Sequence, residues 1–265
     1  MPVVLPTCSA NRDSRSSDVC TFILAWQVFE DSPVVVAANR DEAVGRPSHP
    51  PDLYSENPGV VAPWDEKAGG TWIGYNEHGV LVAITNRWTD TELAAERSRG
   101  LLVGDVLEYE SAEEAARFVE RSIEEFEYDG FNLVCVDENA AILLEWNGGL
   151  RVRNFDPGVH IVVNVGADSS FEIPASRAEF GERQAENTQQ AMVDLQAEPG
   201  ERSEDWHERA TEVLRDHEYG FCVHGDKYGT RSSSLIRMDK DGAASYRFAD
   251  GPPCETEFEP VEQRL

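Results

Sequence analysis

The chain has 265 residues, 40% of them hydrophobic, which suffices for one large domain with its own core. Fifty Asp and Glu oppose 23 Lys and Arg, a formal net charge of -27, and only Lys67, Lys227 and Lys240 are lysines. That surface repels phosphate backbones and argues against nucleic-acid binding; apolar runs fall short of the ~20 residues a membrane-spanning helix needs, and five cysteines without a CxxC pair indicate neither a disulfide framework nor a zinc knuckle.

Residues 1–18, MPVVLPTCSANRDSRSSD, are polar and aperiodic and read as a disordered tail, or as residues ahead of the true start. At Cys20 the pattern changes to CTFILAWQVF, a strand, followed by the turn EDSP and a second strand that begins Val34-Val35-Val36 and ends in NRDE. An antiparallel hairpin of these two strands places Cys20 and Asp41 at the same sheet end. A second hairpin follows, with strands Thr71 to Tyr75 and Val80 to Asn86 about the turn Asn76-Glu77-His78-Gly79. It too ends in a polar Asn.

Ser111 and Glu114 form a capping box, and Ala115, Phe118, Val119, Ile123 and Phe126 share one face of the helix they open. Short strands continue through FNLVCVDENAAILLEWNGGLRVRNF and GVHIVVN. Helical patterns then occupy about Pro174 to Leu195 and Glu204 to His217, and YGTRSSSLIRM opens a last hairpin around Asp239-Lys240-Asp241-Gly242. The order of strands, helix, strands, helices and strands, joined by hairpins, argues for an α+β fold of antiparallel sheet covered by helices within one domain, residues 19–265.

Several segments occur in a recognisable order: Cys20-Thr21, AANRDE with Arg46-Pro47 after it, GGTWIGYN, ITN ending at Asn86, VVN at Asn164, and YGTRSSS from Tyr228 to Ser234. Together they resemble the NRDE family, the transport and Golgi organisation 2-like proteins. The resemblance implies the four-layer αββα sandwich of N-terminal-nucleophile hydrolases, two antiparallel sheets covered by helices. It extends more thinly to the bile-salt and penicillin V acylases, which begin at a Cys, carry Asn-x-Asp at the end of the second strand and use Asn residues near later strand ends. Asn39-Arg40-Asp41 looks like that Asn-x-Asp, while Ala38 stands where those enzymes have an arginine.

The implied chemistry has Cys20 as nucleophile, its own free α-amine accepting the thiol proton near neutrality. Arg40 would lower the thiol pKa, Asp41 would orient the amine, and Asn86 and Asn164 would donate to the oxyanion. Asn39, Trp72 and Arg231 are candidate substrate-binding residues. Such an amine requires either cleavage of the Val19–Cys20 bond or a start at position 19. Cys135 and Cys222 read as small apolar fillers, and His160, His207, His217 and His224 form no recognisable ligand pair, so no metal site is expected.

Two readings of function stand side by side. One is an amidohydrolase acting on a non-peptide C–N bond, or a related hydrolase of a small acyl amide or thioester, with no cofactor required. The other, which the family resemblance implies, is a non-catalytic carrier of haem, acyl-CoA or lipid. Free thiols fit a reducing compartment, and the acidity fits a cytoplasm of molar salt, where a Debye length of roughly 3 Å screens self-repulsion.

Overall fold

The computed structural model describes residues 20–54, 57–262 and 265; the tail proposed for residues 1–18 lies outside them. The first half of the chain forms strands β1 (Thr21–Trp26), β2 (Val34–Ala43), β3 (Ser48–Tyr54), β4 (Asn57–Asp65), β5 (Ile73–Asn76) and β6 (Leu81–Asn86), then helices α1 (Arg99–Val106) and α2 (Ala112–Glu125). Strands β7 (Phe131–Val136), β8 (Ala141–Trp146), β9 (Leu150–Asn154), β10 (Gly158–Val163), β11 (Gly166–Ala167) and β12 (Ser170–Phe171) follow. Helices α3 (Ala178–Asp194) and α4 (Ser203–Arg215) precede strands β13 (Tyr228–Met238), β14 (Ala244–Ala249) and β15 (Glu259–Pro260).

The strands form two antiparallel sheets, ordered β12-β11-β10-β1-β2-β13-β14-β15 and β3-β4-β5-β6-β7-β8-β9. Three apolar interfaces hold the layers. Phe22, Leu24, Val36, Ile73, Leu81 and Val134 meet between the sheets. On the outer face of the first sheet, Ile23, Val35 and Ile161 pack against Trp206, Ala210 and Leu214. On the outer face of the second, Val82, Leu133 and Leu144 pack against Leu102, Val106, Ala115 and Val119. The strand period of two sends alternate residues to these two kinds of interface, which is why β1 and β2 are apolar on both faces. The result is the four-layer αββα sandwich.

Two features were not legible in the sequence. The segment SHPPDLY forms β3, where Pro50 and Pro51 are tolerated because the strand is a sheet edge with a register shift between His49 and Asp52. Helix α1 is only eight residues long and contains two glycines, so its pattern is weak; Ser98 caps it by accepting the Gly100 N–H at 3.1 Å. Helix α2 starts where its capping box placed it, with Ser111 Oγ accepting the Glu114 N–H. Among the described residues no helix is long and apolar enough to cross a membrane.

Candidate functional site

In the β1–β2 register Thr21 lies opposite Asn39 and Phe22 opposite Ala38, so Cys20 falls beside Arg40 and Asp41. The Cys20 thiol points at the Asp41 carbonyl, 3.7 Å away. Asp41 is itself held from the next strand: Thr230 donates its hydroxyl to Oδ1 at 2.6 Å, and Tyr228 donates its hydroxyl to the Asp41 carbonyl at 2.8 Å. Both partners come from the YGTRSSS strand, which pairs with the NRDE strand through a bulge between Thr230 and Ser232.

A cavity of about 390 Å³ opens between the sheets at this end, and Cys20, Asn39, Arg40, Asp41, Trp72 and Asn86 all line it. Asn164 and Arg231 do not. Asn164 is fully buried behind Asn86: its Nδ2 donates to the Asn86 carbonyl at 2.9 Å and its Oδ1 accepts from Gln184. Arg231 occupies the bulge on β13. Asn39 reaches the cavity, but its carboxamide is engaged on the helical side, donating to the carbonyls of Leu214 and Phe221 and accepting the Ser233 hydroxyl. It clamps the segment after α4 to the sheet.

Arg40 is the buried cation of the site, with 8% of its side chain exposed. Its guanidinium lies 4.1 Å from the centre of the Trp72 ring, and Nη2 is 2.6 Å from Asp65 Oδ2 and 3.7 Å from Glu42 Oε2. Arg46 grips the same carboxylate with Nε and Nη2. Burial works to raise the Asp65 pKa, but the Arg46 hydrogen bond, the Ala68 N–H and the two guanidinium charges outweigh it and hold the carboxyl below its usual range. Arg40 Nη1 is buried and, among the described residues, has no hydrogen-bond partner.

The thiol is not activated as it stands. Burial, and after it the negative charge of Asp41, push Cys20 up to about 12; the hydrogen bond to the Asp41 backbone and the Arg40 charge pull the other way and lose. Arg40 therefore acts in the expected direction without deciding the outcome.

Sequence reasoning missed the far wall. Gly70 packs directly on Gly100, where an added Cβ would meet the Gly100 carbonyl carbon at 2.2 Å, and Thr71 N–H donates to the Gly100 carbonyl at 3.1 Å. That contact seats the start of α1 over the cavity and brings Ser98 and Arg99 into its lining. Arg99 donates to the Gly130 carbonyl at 2.7 Å and, among the described residues, forms no ion pair; burial draws its pKa down from the ordinary arginine value. No sequence signal marks Arg99 or Asp65 as site residues, because each comes from a different layer contact. Elsewhere, behind the Asp41 strand, His217, Cys222, His224 and Cys254 converge, although their spacing along the chain suggested no ligand pair.

The profile of a family described as Transport and Golgi organisation 2 matches residues 19–248. The bovine (Bos taurus) Transport and Golgi organization protein 2 homolog is 30% identical over 239 residues, covering 80% of this chain and 84% of its own. The human (Homo sapiens) homolog is 28% identical over 238 residues with the same coverage. Among solved structures, penicillin V acylase from Agrobacterium tumefaciens superposes with a TM-score of 0.55 at 15% identity, covering 92% of this chain and 87% of that one. At that identity the likeness concerns the fold.

Proposed function

The chain belongs to the Transport and Golgi organisation 2 family, and from that premise we propose that it is a cysteine-dependent hydrolase of a small acyl amide or thioester, with Cys20 as nucleophile. The observation that carries this reading is the juxtaposition of the Cys20 thiol, Asp41 and Asn86 around one cavity large enough for a small ligand. A thiol held near pKa 12 does not ionise spontaneously at neutral pH, so the chemistry needs a base within reach of the sulfur.

The α-amine of Cys20 is that base once the residues before it are absent; its ordinary pKa of about 7.7–8.0 suits the task. The amine takes the thiol proton and Sγ attacks the acyl carbon, opening the carbonyl to an oxyanion that the Asn86 carboxamide stabilises. One such donor is typically worth about 3 kcal/mol. Asn164 serves as a positioning residue through its hydrogen bond to the Asn86 carbonyl. The ammonium returns its proton to the departing amine or thiolate, leaving a Cys20 thioester. Water then attacks in the same manner, releasing the acid and restoring the thiol.

The test has two parts. Intact mass of the protein from its own host establishes whether Cys20 is terminal; retention of residues 1–19 defeats the amine-as-base mechanism. An electrophilic acyl probe labels Cys20 in the terminal form and not in Cys20→Ala, and labelling unchanged by that substitution defeats the assignment of the nucleophile.

A second reading, carriage of haem or an acyl-CoA without catalysis, draws support from Arg99 and from Arg40 Nη1. Both arginines line the cavity, and guanidinium donors suit a carboxylate or phosphate on a ligand. Ligand retention unaffected by Cys20→Ala favours it. The excess of acidic residues supports a place in a cytoplasm of molar salt.

A further inference from the structure

Outside the cavity, four side chains with metal-ligand chemistry meet where the segment after α4 touches the loop after β14. One ligand atom from each of His217, Cys222, His224 and Cys254 lies within 4.8 Å of all the others. The sulfurs of Cys222 and Cys254 are 3.4 Å apart, and His224 Nε2 is 3.0 Å from Cys254 Sγ and 3.7 Å from Cys222 Sγ. A tetrahedral zinc with bonds of about 2.3 Å to sulfur and about 2.0–2.1 Å to nitrogen requires ligand-to-ligand edges of about 3.3–3.8 Å. The three edges among Cys222, Cys254 and His224, 3.0, 3.4 and 3.7 Å, lie within a few tenths of an ångström of that range.

The histidines carry a second, independent sign. His217 Nδ1 lies 3.1 Å from the Cys222 carbonyl oxygen, an acceptor that fixes the proton on Nδ1 and leaves Nε2 unprotonated, its lone pair available to a metal. His224 turns Nε2 toward both sulfurs while its Nδ1 lies 3.9 Å from Glu255 Oε1. A hydrogen-bond acceptor behind the non-ligating nitrogen, as at His217, is the arrangement that orients metal-bound imidazoles, whereas the Glu255 oxygen lies beyond hydrogen-bond distance of His224. Two imidazoles and two thiols are a soft, tetrahedral-forming set that selects zinc over the harder divalent ions.

We propose that His217, Cys222, His224 and Cys254 form a structural zinc site that clips the segment after α4 to the loop after β14. Binding releases one proton from each thiol, so the ion and its two thiolates are neutral overall. All four positions are filled by protein, leaving none open for substrate, which makes the site structural rather than catalytic.

Its position gives it a consequence for the cavity. Val223, between two of the ligands, donates its N–H to the Thr230 hydroxyl at 2.9 Å, and that hydroxyl donates onward to Asp41 Oδ1. Asn39 holds the same segment through the Phe221 carbonyl. The zinc therefore stiffens the wall from which Asp41 is oriented. Sequence spacing hid the site because Cys254 arrives from a loop 30 residues beyond His224.

The experiment uses tag-free full-length protein purified without chelator, assayed for metal by mass spectrometry and, after metal exchange, titrated with Co²⁺. The expected result is about one zinc per chain and intense visible d–d bands with a thiolate charge-transfer band, the signature of tetrahedral thiolate coordination. His224→Gln and Cys254→Ser, at surface-facing positions, keep the far-UV circular dichroism of the parent and bind zinc at least about a hundred-fold more weakly. Chelation lowers the melting temperature of the parent and not of the variants. The proposal is overturned by protein that neither holds zinc nor gives tetrahedral cobalt bands, by only the weak bands of ions on surface carboxylates, by a cobalt spectrum unchanged in Cys254→Ser, or by an intact mass showing a Cys222–Cys254 disulfide.

Discussion

Arg40 Nη2 and Asp65 Oδ2 stand 2.6 Å apart, both buried, and they join the strand ending in NRDE to the end of β4 in the opposite sheet. A buried strand ends in an arginine because that arginine spans the gap between two layers, with Trp72 beneath it and the cavity beside it. Removing one partner of such a pair leaves an uncompensated buried charge. Asp65→Ala is expected to lower unfolding stability by about 3 kcal/mol in urea denaturation. A loss below about 1 kcal/mol would show that Glu42 and the Trp72 ring suffice to hold Arg40.

The thiol of Cys20 has two opposed neighbours whose effects can be separated. Asp41 disfavours the thiolate and Arg40 favours it. Asp41→Asn should therefore lower the thiol pKa and speed alkylation at a given pH, while Arg40→Gln should slow it. Peptide-resolved iodoacetamide labelling reads both, and equal rates across the three proteins would contradict the charge assignment.

His207 titrates in the acid range. Burial, against its hydrogen bond to the Val36 carbonyl, pulls its pKa down to about 4. The unfolded chain binds that proton near pH 6.5, so between these values the native state holds fewer protons than the unfolded one. The contribution is complete above about pH 6.5 and declines toward pH 4, by about 3 kcal/mol in all. His207→Gln should flatten stability across that window; an unchanged profile would count against it.

Gly70 tests how the far wall is seated. Gly70→Ala forces a methyl into the Gly100 backbone and should cost ~3 kcal/mol while disturbing the position of Arg99. Gly45→Ala, which meets nothing within 4 Å, is the control and should change stability little. Equal melting temperatures for the two variants would remove the close approach from the account.

The acidic composition predicts a melting temperature that rises from dilute buffer to molar KCl as self-repulsion is screened. A flat or falling response would sink the reading of a high-salt interior.

Local patterning determined much of this protein. Alternating and continuous apolar runs set β1, β2 and β6, the Ser111 box set the start of α2, and the ordered motifs carried the layered architecture with Cys20 beside Asp41. Those features depend on residues close in sequence or on one hairpin register, where period and turn chemistry act directly. Tertiary structure alone decided which buried groups face one another across layers. It paired Arg40 with Asp65, laid Gly100 on Gly70 so that Arg99 reaches the cavity, placed Asn164 behind Asn86 rather than in the cavity, and drew Cys254 to His224. The physical reason is that sheet stacking and loop closure fix those distances through the packing of whole apolar faces, and no periodicity within a single segment encodes where another layer will come to rest.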